Sequence, residues 1–247
     1  MKPFFTIIIP TYNAEKLLSK ALDSVLEQSF HDYEVIIMDG LSSDNTFELA
    51  HTYAEGNPQI KIFRKKDAGI YDAMNKAVKI SQGKFLFFLG SDDVFYDDKV
   101  LKNVAEAISK QKTDVIYGNV FSTRFNGLYD GEFTIKKLMS KNICHQAIFL
   151  HKSVFDKIGN FNLKYKIHSD YDHNIRWFCK KSITKQYTDL TISNYADGGF
   201  SSLNNDLIFQ QEKISVFKSN FETIDLIKYY YGRFKINIKK VSIFKNK

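Results

Sequence analysis

The feature that most constrains this chain is a fourfold pattern in its first half: a short apolar run, then a polar loop. The runs are "FFTIIIP" (4–10), "YEVIIMDG" (33–40), "QIKIFRK" (59–65) and "KFLFFLG" (84–90). Apolar runs without alternation predict strands buried on both faces, as in a parallel sheet. Between them lie helical stretches. "AEKLLSKALDSVLEQS" (14–29) sets Leu17, Leu18, Ala21, Leu22, Val25 and Leu26 at helical spacing. "SSDNTFELAHTYAE" opens a second helix, and "GIYDAMNKAVKIS" is a third, closed by Gly83. Strand–helix alternation of this kind predicts an α/β fold, a mostly parallel central sheet with helices on both faces. Such sheets bind ligands beyond the carboxyl ends of their strands. The loops "PTYN", "MDGLSSD", "KKDAGIYD" and "GSDD" all fall on that edge.

The fourth loop raises a specific question. In "FLFFLGSDDVF" (85–95) five large apolar residues run into Gly90, Ser91, Asp92 and Asp93. Adjacent carboxylates repel, and a buried strand beside them lowers the screening. One reading is a turn in which Asp92 or Asp93 caps a helix starting near Asp97. The other is a divalent-metal site that grips a diphosphate.

The second half is less regular. "DVIYGNVFSTRF" reads as one or two strands, "TIKKLMSK" as a short helix, and "SDYDHNIRWFCKK" as a helix. "SITKQYTDLTISNY" reads as a strand, and Leu207 to Ser219 as a helix. Without a repeat or a Pro/Gly-rich linker, the partition is one domain, 1–220, and a basic amphipathic extension, 221–247. Apolar residues form 44 % of the 247, enough for a large core. "MKPFFTIIIPTYN" reads as a first strand rather than a signal peptide, and no apolar run nears the ~20 residues of a membrane span. Cys144 and Cys179 form no framework, which points to a reduced, cytoplasmic compartment. Net charge is +7, but residues 221–247 carry seven Lys and Arg against Glu222 and Asp225, a net +5. The nearly neutral remainder excludes a broad nucleic-acid surface.

"TIIIPTYNAEKLLSKALDSVLEQSF", "YEVIIMDGLSSDNT" and "DAGIYDAMNKAVKISQGKFLFFLGSDD" together resemble glycosyltransferase family 2, the inverting enzymes of the GT-A (Rossmann-like) fold. "HQAIFLHKSVFDKIGNF", "SDYDHNIRW" and "GGFSSLNN" resemble bacterial polysaccharide, O-antigen and colanic-acid enzymes, and the match runs through about residues 4–205. The resemblance implies a hexose moved from a UDP-sugar to a hydroxyl of a lipid-linked or oligosaccharide acceptor in surface polysaccharide synthesis. It puts Pro10, Thr11, Tyr12 and Asn13 against the nucleotide base, with Tyr12 stacking on uracil and Asp39 accepting its N3–H. Asp67, Gly69, Ile70, Asp72 and Asn75 stand beside the donor; for Asp72 the alternative is a first-turn acid favoured by the helix dipole.

In place of the family's D-x-D-like element stands Gly90-Ser91-Asp92, so the first acidic position is glycine. The resemblance implies Mn²⁺ or Mg²⁺ held by Asp92, helped by Asp93, with Ser91 at the donor. It makes Asp170 the general base, the aspartate of an E-D element in which Ser169 replaces the glutamate. The alternative for Asp170 is a helix cap. His145, Gln146 and Asp172 are cleft residues, although Asp172 is two positions along a helix from Asp170 and points elsewhere. "DGGFSSLNN" (197–205) corresponds to a loop that closes over donor and acceptor.

The tail interleaves Ile, Leu, Tyr and Phe with lysines, a composition that suits an anionic membrane surface. That fits an acceptor on an undecaprenyl-diphosphate anchor and a location at the inner face of the bacterial cytoplasmic membrane. Nothing in the sequence fixes an oligomeric state. A second reading is a catalytically impaired nucleotide-sugar-binding partner protein, impaired by Gly90 and Ser169. A nucleotidyltransferase would want a Gly-rich basic triphosphate loop near the N-terminus, and the chain has none.

Overall fold

The computed structural model describes residues 2–122, 127–129, 131–195 and 206–232. The four predicted strands form: β1 (Phe5–Thr11), β2 (Tyr33–Asp39), β3 (Ile60–Arg64) and β4 (Phe85–Phe88). All four are mutually parallel in the order β3-β2-β1-β4. Every residue of β1, β2 and β4 is buried, as unbroken apolar runs require, while β3 at the edge exposes its end. Between them lie α1 (Leu18–Leu26), α2 (Thr46–Gly56) and α3 (Ile70–Ile80). The first helix is shorter than its apolar spacing predicts, because residues 15–17 form a turn.

Beyond β4 the sheet becomes mixed. The later elements are β5 (Val94–Phe95), α4 (Val100–Lys110), β6 (Val115–Ser122), β7 (Gly127–Tyr129) and α5 (Ile135–Ser140). A 3₁₀ turn (His145–Ala147), β8 (Ile148–His151), α6 (Ser153–Ile158), α7 (Ser169–Cys179), β9 (Lys185–Asn194) and α8 (Leu207–Asn220) follow. A last helix, α9, spans 223–232. The sheet continues β4-β8-β6-β9-β5, with β7 on β6. β8 is antiparallel to both β4 and β6, and β5 is antiparallel to β9.

Strand periodicity divides the interior in two. Ile7, Ile9, Ile37 and Phe87 face α1, α2 and α4 through Leu22, Ala50 and Leu101. Ile8, Ile36, Leu86 and Phe88 face α3, α6 and α7 through Met74, Phe155 and Trp177. Helices therefore cover both faces, as predicted. The second core also takes Phe209, Phe217, Phe221 and Tyr229, so α8, α9 and their junction pack on this face. The boundary expected at 220/221 thus falls between residues that share one core, and 233–247 lies outside the described residues.

Candidate active site

Register alone sets the first wall. β1 pairs with β2 so that Thr11 lies beside Asp39, and β2 with β3 so that Asp39 lies beside Arg64. Asp39 is fully buried, accepts the Ser42 backbone N–H at 3.2–3.3 Å and the Ser42 hydroxyl, and lies 3.3 Å from Arg64 Nε. Arg64 also donates to the Ser42 carbonyl and stacks on Phe47. The following loop is sewn to the first: Asn13 N–H donates to Ser42 Oγ at 2.9 Å, and Ser43 N–H to Asn13 Oδ1 at 2.9 Å. Pro10 and Thr11 are buried, and Tyr12 is two-thirds exposed.

Asp67 sits against the end of β2, so close that a Cβ on Gly40 would come within 2.5 Å of its Oδ2. Its Oδ1 accepts the Gly69 N–H at 3.0 Å, in a turn where Gly69 has φ +121°. Ile70 is exposed at the start of α3. Asp72 accepts from Ala68 N–H at 2.9 Å and Lys76 Nζ at 2.8 Å. Burial opposes ionisation there, but Lys76 and the Ala68 N–H hold the carboxyl below its ordinary range. These bonds lie within and just before the first turns of α3, as the helix-dipole alternative for Asp72 expects. Asn75 is buried and exchanges two hydrogen bonds with the Phe161 backbone, fastening α3 to the loop before α7.

In the loop after β4, neither aspartate caps a helix: α4 begins at Val100 with Lys99 at its cap position, and the nearby acid is Asp97. Instead the two carboxylates fold back over Gly90, where a Cβ would meet Asp93 Oδ2 at 2.4 Å and Asp92 Oδ1 at 2.8 Å. Ser91 and Asp92 are half-buried, and no described residue donates to the Asp92 carboxylate. Asp93 is buried and accepts Gln146 Nε2 at 2.7 Å. Among the described residues no group of three or more His, Cys, Asp or Glu is placed to hold a metal. Within this pair, Asp92 has no donor among the described residues, whereas Asp93 accepts from Gln146.

Asp170 lies in the first turn of α7 without capping it, for His168 is the cap residue and makes no side-chain cap bond. Its Oδ1 accepts the Tyr71 hydroxyl at 3.0 Å and the Tyr171 N–H at 2.8 Å. Its Oδ2 accepts Asn142 Nδ2 at 2.8 Å and lies 3.6 Å from His145 Nδ1. Burial and the neighbouring Asp170 carboxylate push the Tyr71 phenol well above its usual range, so it stays a donor. Asp172 turns elsewhere and pairs with Arg176 at 2.9 Å; burial outweighs the guanidinium and raises its carboxyl. Asp172 is thus separate from the group around Asp170, as helical spacing predicts. The loop 197–205 lies outside the described residues.

One arrangement unites the two acidic centres. His145 and Gln146, consecutive in the 3₁₀ turn, reach to Asp170 and Asp93 respectively, so a single turn ties both carboxylates together. Cys144, before them, donates to Gln146 Oε1 at 2.9 Å, and burial and then the Asp93 carboxylate push its thiol up. Sequence reasoning missed Tyr71, Asn142 and Arg64. The first two meet Asp170 across 99 and 28 residues of chain, and no local pattern signals that.

The family model described as "Glycosyl transferase family 2" matches residues 6–186. A PGL/p-HBAD biosynthesis glycosyltransferase of Mycobacterium bovis (strain BCG / Pasteur 1173P2) is 37 % identical over 209 residues, covering 83 % of this chain and 81 % of that protein. A hyaluronan synthase of Pasteurella multocida is 32 % identical over 180 residues, covering 69 % of this chain and 18 % of that protein. Among solved structures, S. aureus TarS 1-349 in complex with UDP-GlcNAc superposes with TM-score 0.72 at 19 % identity, over 92 % of this chain and 71 % of that one. A second structure of TarS 1-349 has TM-score 0.67 at 20 % identity, and the chain spans only 60 % of it. The mannosyltransferase PcManGT from Pyrobaculum calidifontis, in complex with GDP-Man and Mn²⁺, has TM-score 0.65 at 18 % identity, over 81 % of this chain and 59 % of that one. These likenesses are of GT-A folds.

Proposed function

This chain belongs to glycosyl transferase family 2 and is a glycosyltransferase, and from that premise we propose that it inverts the anomeric centre of a UDP-hexose while passing the sugar to a hydroxyl of a lipid-linked or oligosaccharide acceptor. The observation that carries this reading is the turn that holds Asp170 and the Asp92–Asp93 loop side by side. In-line displacement needs a base at the attacking hydroxyl and a negative-charge acceptor at the leaving diphosphate, on opposite sides of one carbon. Asp170 takes the hydroxyl proton as the oxygen bonds to the anomeric carbon and UDP departs with the electron pair of the broken bond. Tyr12, Asn13, Asp67 and Gly69 frame the donor on the nucleotide side. Asp39, closed behind Ser42 and Arg64, shapes the base pocket from beneath.

Asp92, with Asp93 beside it, would hold a divalent cation, Mn²⁺ or Mg²⁺, which would supply charge neutralisation at the departing diphosphate. The complexes of fold neighbours with UDP-GlcNAc, and with GDP-Man and Mn²⁺, support that assignment. The acceptor we favour is a glycan on undecaprenyl diphosphate at the inner face of a bacterial cytoplasmic membrane, in surface polysaccharide synthesis. No helix among the described residues is long and apolar enough to cross a membrane. We assign contact with the anionic surface to the C-terminal basic segment, because residues 221–247 carry a net +5.

The test is Asp170→Asn, an isosteric change. Transfer from the preferred sugar nucleotide should fall by about 10²-fold or more, while UDP still raises the melting temperature as in the wild type. Near-normal turnover would refute Asp170 as base. Chelation should remove activity, and Mn²⁺ or Mg²⁺ should restore it; full activity in chelator would remove the cation from the mechanism. A protein that binds UDP yet neither transfers nor hydrolyses any of a panel of UDP-sugars would be the catalytically impaired binding partner.

A further inference from the structure

The Asp170 carboxylate is reached by a chain of side chains whose hydrogen-bond direction is fixed at both ends. At the far end, the Trp177 indole N–H donates to Asn174 Oδ1 at 2.8 Å. The Asn174 amide then donates to Asn142 Oδ1 at 2.9 Å and to the Ile143 carbonyl at 3.0 Å. At the near end, Asn142 Nδ2 donates to Asp170 Oδ2 at 2.8 Å. An amide side chain can be turned over to exchange its donor and acceptor, and usually nothing but its neighbours decides which way it lies. Here the neighbours decide. An indole only donates and an ionised carboxylate only accepts, so both asparagines have a single orientation that satisfies the row. Trp177 is fully buried, and Asn174 nearly so, which makes any other arrangement leave polar atoms unpaired out of water.

The other donors to Asp170 do not do this job. Tyr71 has one proton for two acceptors, the Ile167 carbonyl at 2.6 Å and Asp170 Oδ1 at 3.0 Å, and both it and the Tyr171 N–H address Oδ1. Oδ2 faces His145 at 3.6 Å, and among the described residues Asn142 is the donor that holds it, at 2.8 Å. A carboxylate oxygen has about two lone pairs. With Asn142 on one, the other is left on the side of His145, whose Nδ1 lies 3.6 Å away.

We infer that Asn142 is a positioning residue for the general base: with Asn174 and Trp177 behind it, it locks the Asp170 carboxylate so that one lone pair of Oδ2 stays directed at the acceptor hydroxyl. This rests on the reading of Asp170 as the base. It explains why a polar row runs inward from the cleft to a buried tryptophan, which binding alone does not require. Because the direction of donation matters, aspartate at 142 is not conservative. Asn142→Asp keeps the shape but turns the donor into a second carboxylate against the first.

Turnover of the best substrate from a panel of UDP-sugars, read as UDP release across pH 5–9, tests the assignment. Asn142→Ala and Asn142→Asp should lower kcat by about 10- to 100-fold, a base held in poor geometry losing part of its usual contribution. The donor KM should change less than about threefold, since uniform binding is untouched. In Asn142→Asp the acid limb of the rate profile should also move to higher pH, by about one unit, because two adjacent carboxylates share a proton more readily than one. Trp177→Phe, which keeps most of the volume, removes the fixed donor and should lower kcat several-fold in the same direction. Wild-type kcat and pH profile in the Asn142 variants would overturn the proposal. So would a loss confined to the donor KM, or to UDP-induced stabilisation, with kcat unchanged. If the Asn142 variants fail to fold, Trp177→Phe decides alone, and an unchanged kcat there overturns it. Asp170→Asn distinguishes the two levels: if it retains turnover the base reading falls and this inference with it, whereas a dead Asp170→Asn beside unaffected Asn142 variants removes only the positioning role.

Discussion

Gly90 is the residue at which the sequence departs from the acidic pattern its neighbours follow, and its surroundings explain the departure. Both following carboxylates curl back over it, within 2.8 Å of where a Cβ would stand. An aspartate here would displace the two that are present rather than add a third. Gly90→Ala should therefore push Asp93 off Gln146 and move Asp92, at a cost of about 1–3 kcal/mol in stability for the buried groups left unpaired. The activity should fall further than the stability explains, which urea unfolding and UDP release measured side by side would check. His173 makes a different residue-scale prediction. It is fully buried and stacks on Phe155 and Phe161, with ring centroids 4.9 and 4.6 Å away. Burial, then the Arg176 charge, pushes it well below its ordinary value. A neutral folded histidine that takes up a proton on unfolding makes stability fall as pH drops below about 6.5, by up to ~1.4 kcal/mol per unit. Above that pH the contribution is complete. His173→Phe should flatten the decline of melting temperature between pH 6.5 and 5, and an unchanged decline would contradict the assignment.

At the scale of elements, Asp206 shows how a helix is fastened to the site. Its Oδ1 caps α8 by accepting the Phe209 N–H at 3.0 Å, and its Oδ2 accepts the N–H groups of Ile167 and His168, at the start of the segment that enters α7. Burial works against its charge, but those three donors together hold the carboxyl below its ordinary range. Its stabilising effect is thus complete above about pH 4 and is lost as pH falls through the lowered folded value. Asp206→Ala should cost about 1–2 kcal/mol at pH 7, at the upper end of capping losses because two loop donors are orphaned as well. Denaturant midpoints at pH 7 and pH 3 should show the gap between variant and wild type narrowing at the lower pH. The same element shows what sequence could reveal. The spacing of Leu18, Ala21, Leu22 and Val25, and the solid apolar runs of β1, β2 and β4, carry their own period, so α1 and the parallel half were legible. The antiparallel half was not. β5, β7 and β8 have two, three and four residues, too few for a period, and pairing direction leaves no mark on composition. The acids of the site were legible because each ends a strand or begins a helix. Tyr71, Asn142 and Arg64 were not, because what makes them matter is a neighbour supplied by a distant element.

For the molecule as a whole, charge and exposure together bear on where the enzyme meets its acceptor. Residues 233–247 carry Arg233, Lys235, Lys239, Lys240, Lys245 and Lys247 and no acid, so they hold six of the net +7. They follow α9, whose Ile224, Ile227 and Tyr231 are exposed while Tyr229 is buried in the core. Scattered exposed apolar residues are ordinary, but these three recur at helical spacing on α9, immediately before the basic sequence. On the proposed membrane contact, attraction of this basic sequence to an anionic bilayer would be worth about 1 kcal/mol per cation near the surface, and salt would screen it. The cut that tests this belongs after Gly232. A cut at 220 would also strip Phe221 and Tyr229 from the core and confuse anchoring with unfolding. Deleting 233–247 should weaken co-sedimentation with vesicles containing phosphatidylglycerol by at least about tenfold, and leave neutral vesicles bound as poorly as before. Turnover on a short soluble acceptor should be unchanged, since the deletion removes none of the groups around Asp92 or Asp170. Turnover on a vesicle-borne acceptor should fall with the binding, and high salt should reproduce the loss in the full chain. Equal binding of both forms to anionic vesicles would remove the segment from membrane contact and leave only the exposed face of α9 to account for any attraction.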